Sequence, residues 1–164
     1  MEAPPSIRKV SRRESMDDLL FTLKHVRAVK AANAGMEHLG KDDWPRALDG
    51  FREAEELFDE LGDRVQRSNM LSMQGLCLFA LDKLDEAAEV MRRAIDLKDG
   101  LQSEDKANDL LGYGEILLKK GDLDGALAAF EESVVVLEGK GHEQELESAK
   151  IAAAKVKKLL DQRH

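Results

Sequence analysis

The sequence predicts an all-α protein built from a repeated helical hairpin, and three observations carry that expectation. The 164 residues are only 4% aromatic and hold three Pro, too few β-formers and turn breakers for a sandwich or barrel. Charged residues make up 35%, and Ala, Leu, Glu and Lys, all strong helix formers, recur along the whole chain. A pattern of Gly, Ala and a large apolar residue returns three times at nearly equal spacing, which is the mark of stacked repeats.

Gly35, Gly75 and Gly114 are each followed twelve residues later by Ala47, Ala87 and Ala126. Four residues on stand Phe51, Met91 and Phe130, and three further on the small residues Ala54, Ala94 and Ser133. Gly inside a helix costs about 0.5–1 kcal/mol relative to Ala, so three at matched positions imply a steric reason. The reading is a close antiparallel approach, with Gly in the first helix of each pair and Ala early in the second.

The elements follow in order. Residues 1–14 are expected to form a disordered basic arm. Ser15, three residues before Asp18, reads as a capping box opening a helix that carries Leu19, Leu20, Leu23, Val26 and Val29 and runs on to Leu39. Repeat one then spans about 15–61, turning at Gly40–Asp43, with Pro45 in the first turn of its second helix. Repeat two spans about 62–100 and turns at Leu81–Lys83; repeat three spans about 101–140 and turns at Gly121-Asp122. Residues 143–162 carry an apolar stripe, Leu146, Ala149, Ala153, Val156 and Leu160, which suits a capping helix over the open end of the stack. Residues 15–164 are thus one helical domain of three repeats plus a cap.

This pattern resembles the tetratricopeptide repeat (TPR) over residues 28–138. The family's first-helix offsets fall here on Ala31, Ala34, Gly35 and His38; on Leu71, Gln74, Gly75 and Leu78; and on Leu110, Tyr113, Gly114 and Leu117. Its second-helix Ala-to-aromatic step is kept except for Met91, and Asp59, Asp99 and Glu138 stand where the family closes a repeat with Pro. The 39–40-residue spacing is similar to the lengthened repeats of cell-polarity scaffolds and kinesin light chains. The resemblance implies a right-handed superhelix whose concave groove is lined by the first helices. The groove positions it implies are Val29, Ala32, Asn33, Met36 and Leu39 in repeat one; Asn69, Ser72, Met73, Leu76 and Phe79 in repeat two; and Asn108, Leu111, Glu115 and Lys119 in repeat three. Chaperone-binding members clamp a C-terminal carboxylate with Lys, Arg and Asn. The matching positions here read Ala32, Met36, Met73, Asn108 and Gly112, without a basic residue, so a chaperone carboxylate is not the expected ligand.

Charge narrows the partner. Residues 1–30 carry a net +3 and residues 140–164 a net +2, while residues 31–139 carry 12 basic and 25 acidic residues, a net −13. An acidic body repels phosphate backbones, so no nucleic acid is expected, and a basic protein segment is favoured. No apolar run approaches the roughly 18 residues of a membrane span. The start of the chain does not read as a secretory signal, which makes the cytoplasm the expected compartment and organelle import the alternative.

Chemistry is sparse. Cys77 is the single cysteine, so neither a disulfide nor a cysteine metal centre forms within the chain, and its place between Leu76 and Leu78 suits a core residue. His25, His38, His142 and His164 form no ligand motif. Gly139–His142 is too short for a phosphate loop, and the many carboxylates fall among Lys and Arg as solvated faces. No cofactor, metal or catalytic residue is expected. The function the sequence favours is a non-enzymatic adaptor or scaffold holding a peptide or amphipathic helix of a partner protein; the alternative is a structural subunit built permanently into a larger assembly. Arg12-Arg13-Glu14-Ser15 and Arg8-Lys9-Val10-Ser11 put basic residues ahead of Ser15 and Ser11, as basophilic kinases favour, so both Ser are candidate phosphorylation sites.

Overall fold

The computed structural model describes residues 12–100 and 104–163, and seven α-helices account for nearly all of them: α1 (Arg12–Leu39), α2 (Trp44–Glu60), α3 (Arg64–Ala80), α4 (Leu84–Leu97), α5 (Glu104–Lys120), α6 (Leu123–Leu137) and α7 (Glu143–Asp161). No strand occurs among the described residues. Each helix packs chiefly on the one before it and the one after it, with weaker α3–α5 and α5–α7 contacts. The core is therefore a series of local hairpin contacts.

The turns show why the helices stop where they do. Within the three hairpins, the chain takes a left-handed residue at Asp42 (φ 56°), Asp82 (φ 60°) and Gly121 (φ 85°). The next residue's N–H then reaches back five residues: Asp43 to the His38 carbonyl, Lys83 to Leu78 and Asp122 to Leu117, at 2.9–3.0 Å. These bonds satisfy carbonyls the helix ends leave open. Asp43, Asp63 and Asp122 cap the following helices, their carboxylates accepting from the N–H groups of Arg46, Gln66 and Gly125.

The matched glycines face large side chains first, and at Gly35 the carbonyl of the matched Ala47 follows at 3.2 Å. A methyl group added at Gly35 would stand 2.8 Å from the Phe51 ring, and one at Gly75 would stand 2.8 Å from the Met91 methyl. Gly114 meets the Phe130 ring in the same way. The first hairpin is closest of all: a methyl at Gly50 would lie 2.8 Å from the Cα and N of Gly35, backbone against backbone. Ala47, Ala87 and Ala126 are fully buried one turn away. Glycine thus makes the seat for the ring or thioether, and alanine lets the helix come near enough to fill it.

The expected cap at Ser15 is corrected. Residues 1–11, most of the expected disordered arm, lie outside the described residues, and so does Ser11. Arg12–Glu14 are already helical, so Ser15 lies inside the first turn of α1 and is not its N-cap. Arg and Glu are good helix formers, and the helix begins before the capping residue is reached.

α1 has 28 residues against 17 in α3 and α5. Eleven extra residues extend it by about 16 Å. Where α1 lies alongside the stack, its outward face carries Lys30, Ala34 and Glu37, all exposed; the equivalent α3 positions, Met70, Gln74 and Cys77, are buried against neighbours. Charge thus closes that end of the stack. Beyond it, Met16, Leu19, Leu20, Leu23 and Val26 are each more than half exposed. At the other end α7 buries Ala149, Ala153 and Val156.

Candidate functional site

The first helix of each pair supplies the site. Near the N-terminal ends of α3 and α5 lies an open cavity of about 410 Å³, lined by Met36 of α1, Gln66, Asn69, Met70, Ser72 and Met73 of α3, Lys98 after α4, and Asp105, Asn108 and Asp109 of α5. Of the groove residues implied by the resemblance, this cavity brings together Met36, Asn69, Ser72, Met73 and Asn108. Three methionines give it an adaptable apolar wall, and three amides offer donors and acceptors to a bound backbone.

The others lie elsewhere. Leu76 and Glu115 hold on α3 and α5 the place Met36 holds on α1, one residue after the matched glycine, and all three are exposed. Asn33 is exposed on α1 outside the cavity lining, and Leu111 is half-buried against the C-terminal core. Phe79 and Lys119 form a separate feature near the other end of α3 and α5. The Lys119 ammonium lies 5.0 Å from the Phe79 ring centre and 2.7 Å from an Asp82 carboxylate oxygen. A cation so placed is held by both the ring face and the charge. Val29 is exposed, while Ala32 and Leu39 pack against the core.

Ser72 belongs to the floor. It is buried, its hydroxyl donates to the Ser68 carbonyl at 3.0 Å, and it accepts from Lys98 Nζ at 3.4 Å. Lys98 and Asp109 form an ion pair at 2.6 Å, and both are more than nine-tenths buried. Burial pushes the Asp109 carboxyl above the usual aspartate range, opposed by the hydrogen bond from Lys98.

Gln66, Met70, Lys98, Asp105 and Asp109 complete the cavity and were not among the residues the sequence pointed to. Gln66 and Asp105 had a signal available: each precedes its matched glycine by nine residues, one helical turn beyond the offsets considered. Lys98 had none, because it follows α4 outside any helix.

Cys77 is fully buried, and burial pushes its thiol up to about 11. The thiolate is the reactive form. A disulfide-exchange reagent such as Ellman's should therefore label the folded protein far more slowly than the urea-unfolded chain; equal rates would mean α3 opens readily. Among the described residues no group of three His, Cys, Asp or Glu side chains is placed to hold a metal ion, and no helix is long and apolar enough to cross a membrane.

The family model of the tetratricopeptide repeat matches residues 33–101, from α1 through α4. Residues 33–101 belong to the tetratricopeptide repeat family. The helices outside that segment share its fold. The TPR2B domain of yeast Sti1, solved in a complex with pHsp70, superposes with a TM-score of 0.68 at 15% identity, over 82% of this chain and 98% of that one. The TPR domain of Arabidopsis OM64 gives 0.65 at 15% identity, over 82% and 98%. The N-terminal domain of stress-induced protein-1 from C. elegans gives 0.63 at 15% identity, over 79% and 96%. At that identity the likeness speaks for the fold. No curated protein matches the chain.

Proposed function

We propose that this TPR domain is an adaptor or scaffold that holds a peptide or helix of a partner protein in its concave groove, and that it catalyses no reaction. The observation that carries this reading is the methionine- and amide-lined cavity shared by α1, α3 and α5. An apolar side chain of the partner fits against Met36, Met70 and Met73, and Asn69 and Asn108 are free to bond its backbone. Among the described residues, Lys98 is buried against Asp109 and Lys119 is tied to Asp82, so neither stands ready to clamp a chaperone carboxylate.

Selection from a random displayed peptide library tests the reading. Peptides selected on the wild-type protein are expected to lose binding to a Met36→Gln/Leu76→Gln variant, in which two exposed groove side chains turn polar while the core is untouched. Undiminished binding at native helicity would move the site off the groove.

The exposed stripe Met16–Leu19–Leu20–Leu23–Val26 on α1 favours a second reading, a structural subunit of a larger assembly, because monomers rarely leave such a stripe uncovered. Light scattering after size exclusion separates the two. A soluble monomer over a wide concentration range fits the adaptor, and aggregation relieved by Leu19→Gln/Leu23→Gln fits the subunit.

A further inference from the structure

We propose that the segment received by the groove is cationic as well as apolar, with its Lys or Arg side chains placed on Asp105 and Glu115. This rests on the groove reading above and names the chemistry of its occupant.

The argument is a balance of charge along the groove helices. Lys98 is neutralised by Asp109 at 2.6 Å, and Lys119 by Asp82 at 2.7 Å beneath its contact with Phe79. Two acids remain. Asp105 lines the cavity, and Glu115 stands on the same helix at the position of Met36 and Leu76; both are exposed, and neither makes an ion pair among the described residues. Ten residues of α5 separate them, about 15 Å along the helix axis.

The polar groups between them are the neutral amides of Asn69 and Asn108, and the apolar ones are methionines. An anionic segment would therefore meet repulsion from both acids, and a neutral one would leave two carboxylates unmatched; the exposed Arg64, which shares an adjoining cavity with Asn69 and Asp105, donates to the Asp96 carbonyl at 3.5 Å. Asp105 also repels Asp109, adding to the upward push on that carboxyl, so a cation at Asp105 relieves an existing repulsion. The net −13 of residues 31–139 steers a cationic chain toward this surface before contact.

Fluorescence anisotropy with three labelled 14-residue probes of one apolar pattern, differing only in Lys, Gln or Glu at the polar positions, tests the inference. The Lys probe is expected to bind most tightly and the Glu probe least. Asp105→Asn and Glu115→Gln should each weaken the Lys probe by roughly two- to fivefold, the range for an exposed ion pair, and leave the Gln probe unchanged. Glu89→Gln/Asp124→Asn, which removes the same charge from α4 and α6, should leave the Lys probe unchanged. The inference is overturned if the Gln or Glu probe matches the Lys probe, if the groove acids can be neutralised without effect, if the α4/α6 control weakens binding equally, or if no probe binds. The groove reading fails separately, if the probes bind a Met36→Gln/Leu76→Gln variant as tightly as wild type.

Discussion

Lys98→Met is expected to cost about 3–5 kcal/mol of stability at neutral pH, because it strands the Asp109 carboxylate in a buried site. The ammonium that now compensates it at 2.6 Å is lost. The double variant Lys98→Met/Asp109→Leu removes the charge with its partner, so most of the loss should return. The cost should also depend on pH. Burial already raises the folded Asp109 carboxyl above its unfolded value of 3.8, and removing Lys98 takes away the hydrogen bond that opposes this. A raised carboxyl pKa contributes stability that is full below the unfolded value and is lost as pH rises through the folded one. The Lys98→Met deficit should therefore shrink as pH falls from 7 toward the ordinary carboxylate range. Urea titrations at several pH values measure it, and a deficit independent of pH would mean that removing Lys98 does not shift the Asp109 carboxyl.

Phe51→Ala is expected to cost about 3–5 kcal/mol, the range for emptying a buried aromatic site. The ring fills the seat made by Gly35, and that pairing gives a sharper test than the single loss. In the wild type, a methyl group at Gly35 would press on the rigid Phe51 ring at 2.8 Å, so Gly35→Ala should destabilise by about 1–3 kcal/mol. With the ring gone, the close neighbour that remains is the Ala47 carbonyl at 3.2 Å, and the helix propensity of Ala, about 0.5–1 kcal/mol, works in favour of the change. Gly35→Ala should thus cost less on the Phe51→Ala background than in the wild type, a coupling a double-mutant cycle measures directly. At Gly75 the opposing atom is the end of the flexible Met91 side chain, so Gly75→Ala should cost less than Gly35→Ala. Independent, additive effects at 35 and 51 would mean the two do not touch.

How much of this was legible in sequence depended on whether the signal was local and periodic. The Gly–Ala–large apolar pattern could be read because close helix approach restricts side-chain size at fixed offsets, and each repeat states the restriction again. The hairpin turns could be read because Asp42, Asp82 and Gly121 hold equivalent places. The start of α1 was misread, since a local capping signal at Ser15 competes with good helix formers ahead of it, and propensity prevailed. The offsets that the family resemblance implies reached Met36, Asn69, Met73 and Asn108, which share one cavity. They also named Ser72, whose side chain is spent on the floor, and Phe79, whose ring is shared with Lys119.

The sequence by itself determined the all-helical class and the recurring contact of glycine with a large apolar side chain, because a repeated steric constraint leaves a repeated residue pattern. The tertiary structure alone decided which charges are paired. Lys98 and Asp109 are eleven residues apart, one beyond the end of α4 and the other on α5, and no period relates them. Only when α3, α4 and α5 pack does Lys98 fold under Ser72 and Asp109 and Lys119 reach Asp82, leaving Asp105 and Glu115 without an ion pair among the described residues. Charge pairing depends on distances of a few ångströms between separate elements, which hydrophobic periodicity does not encode.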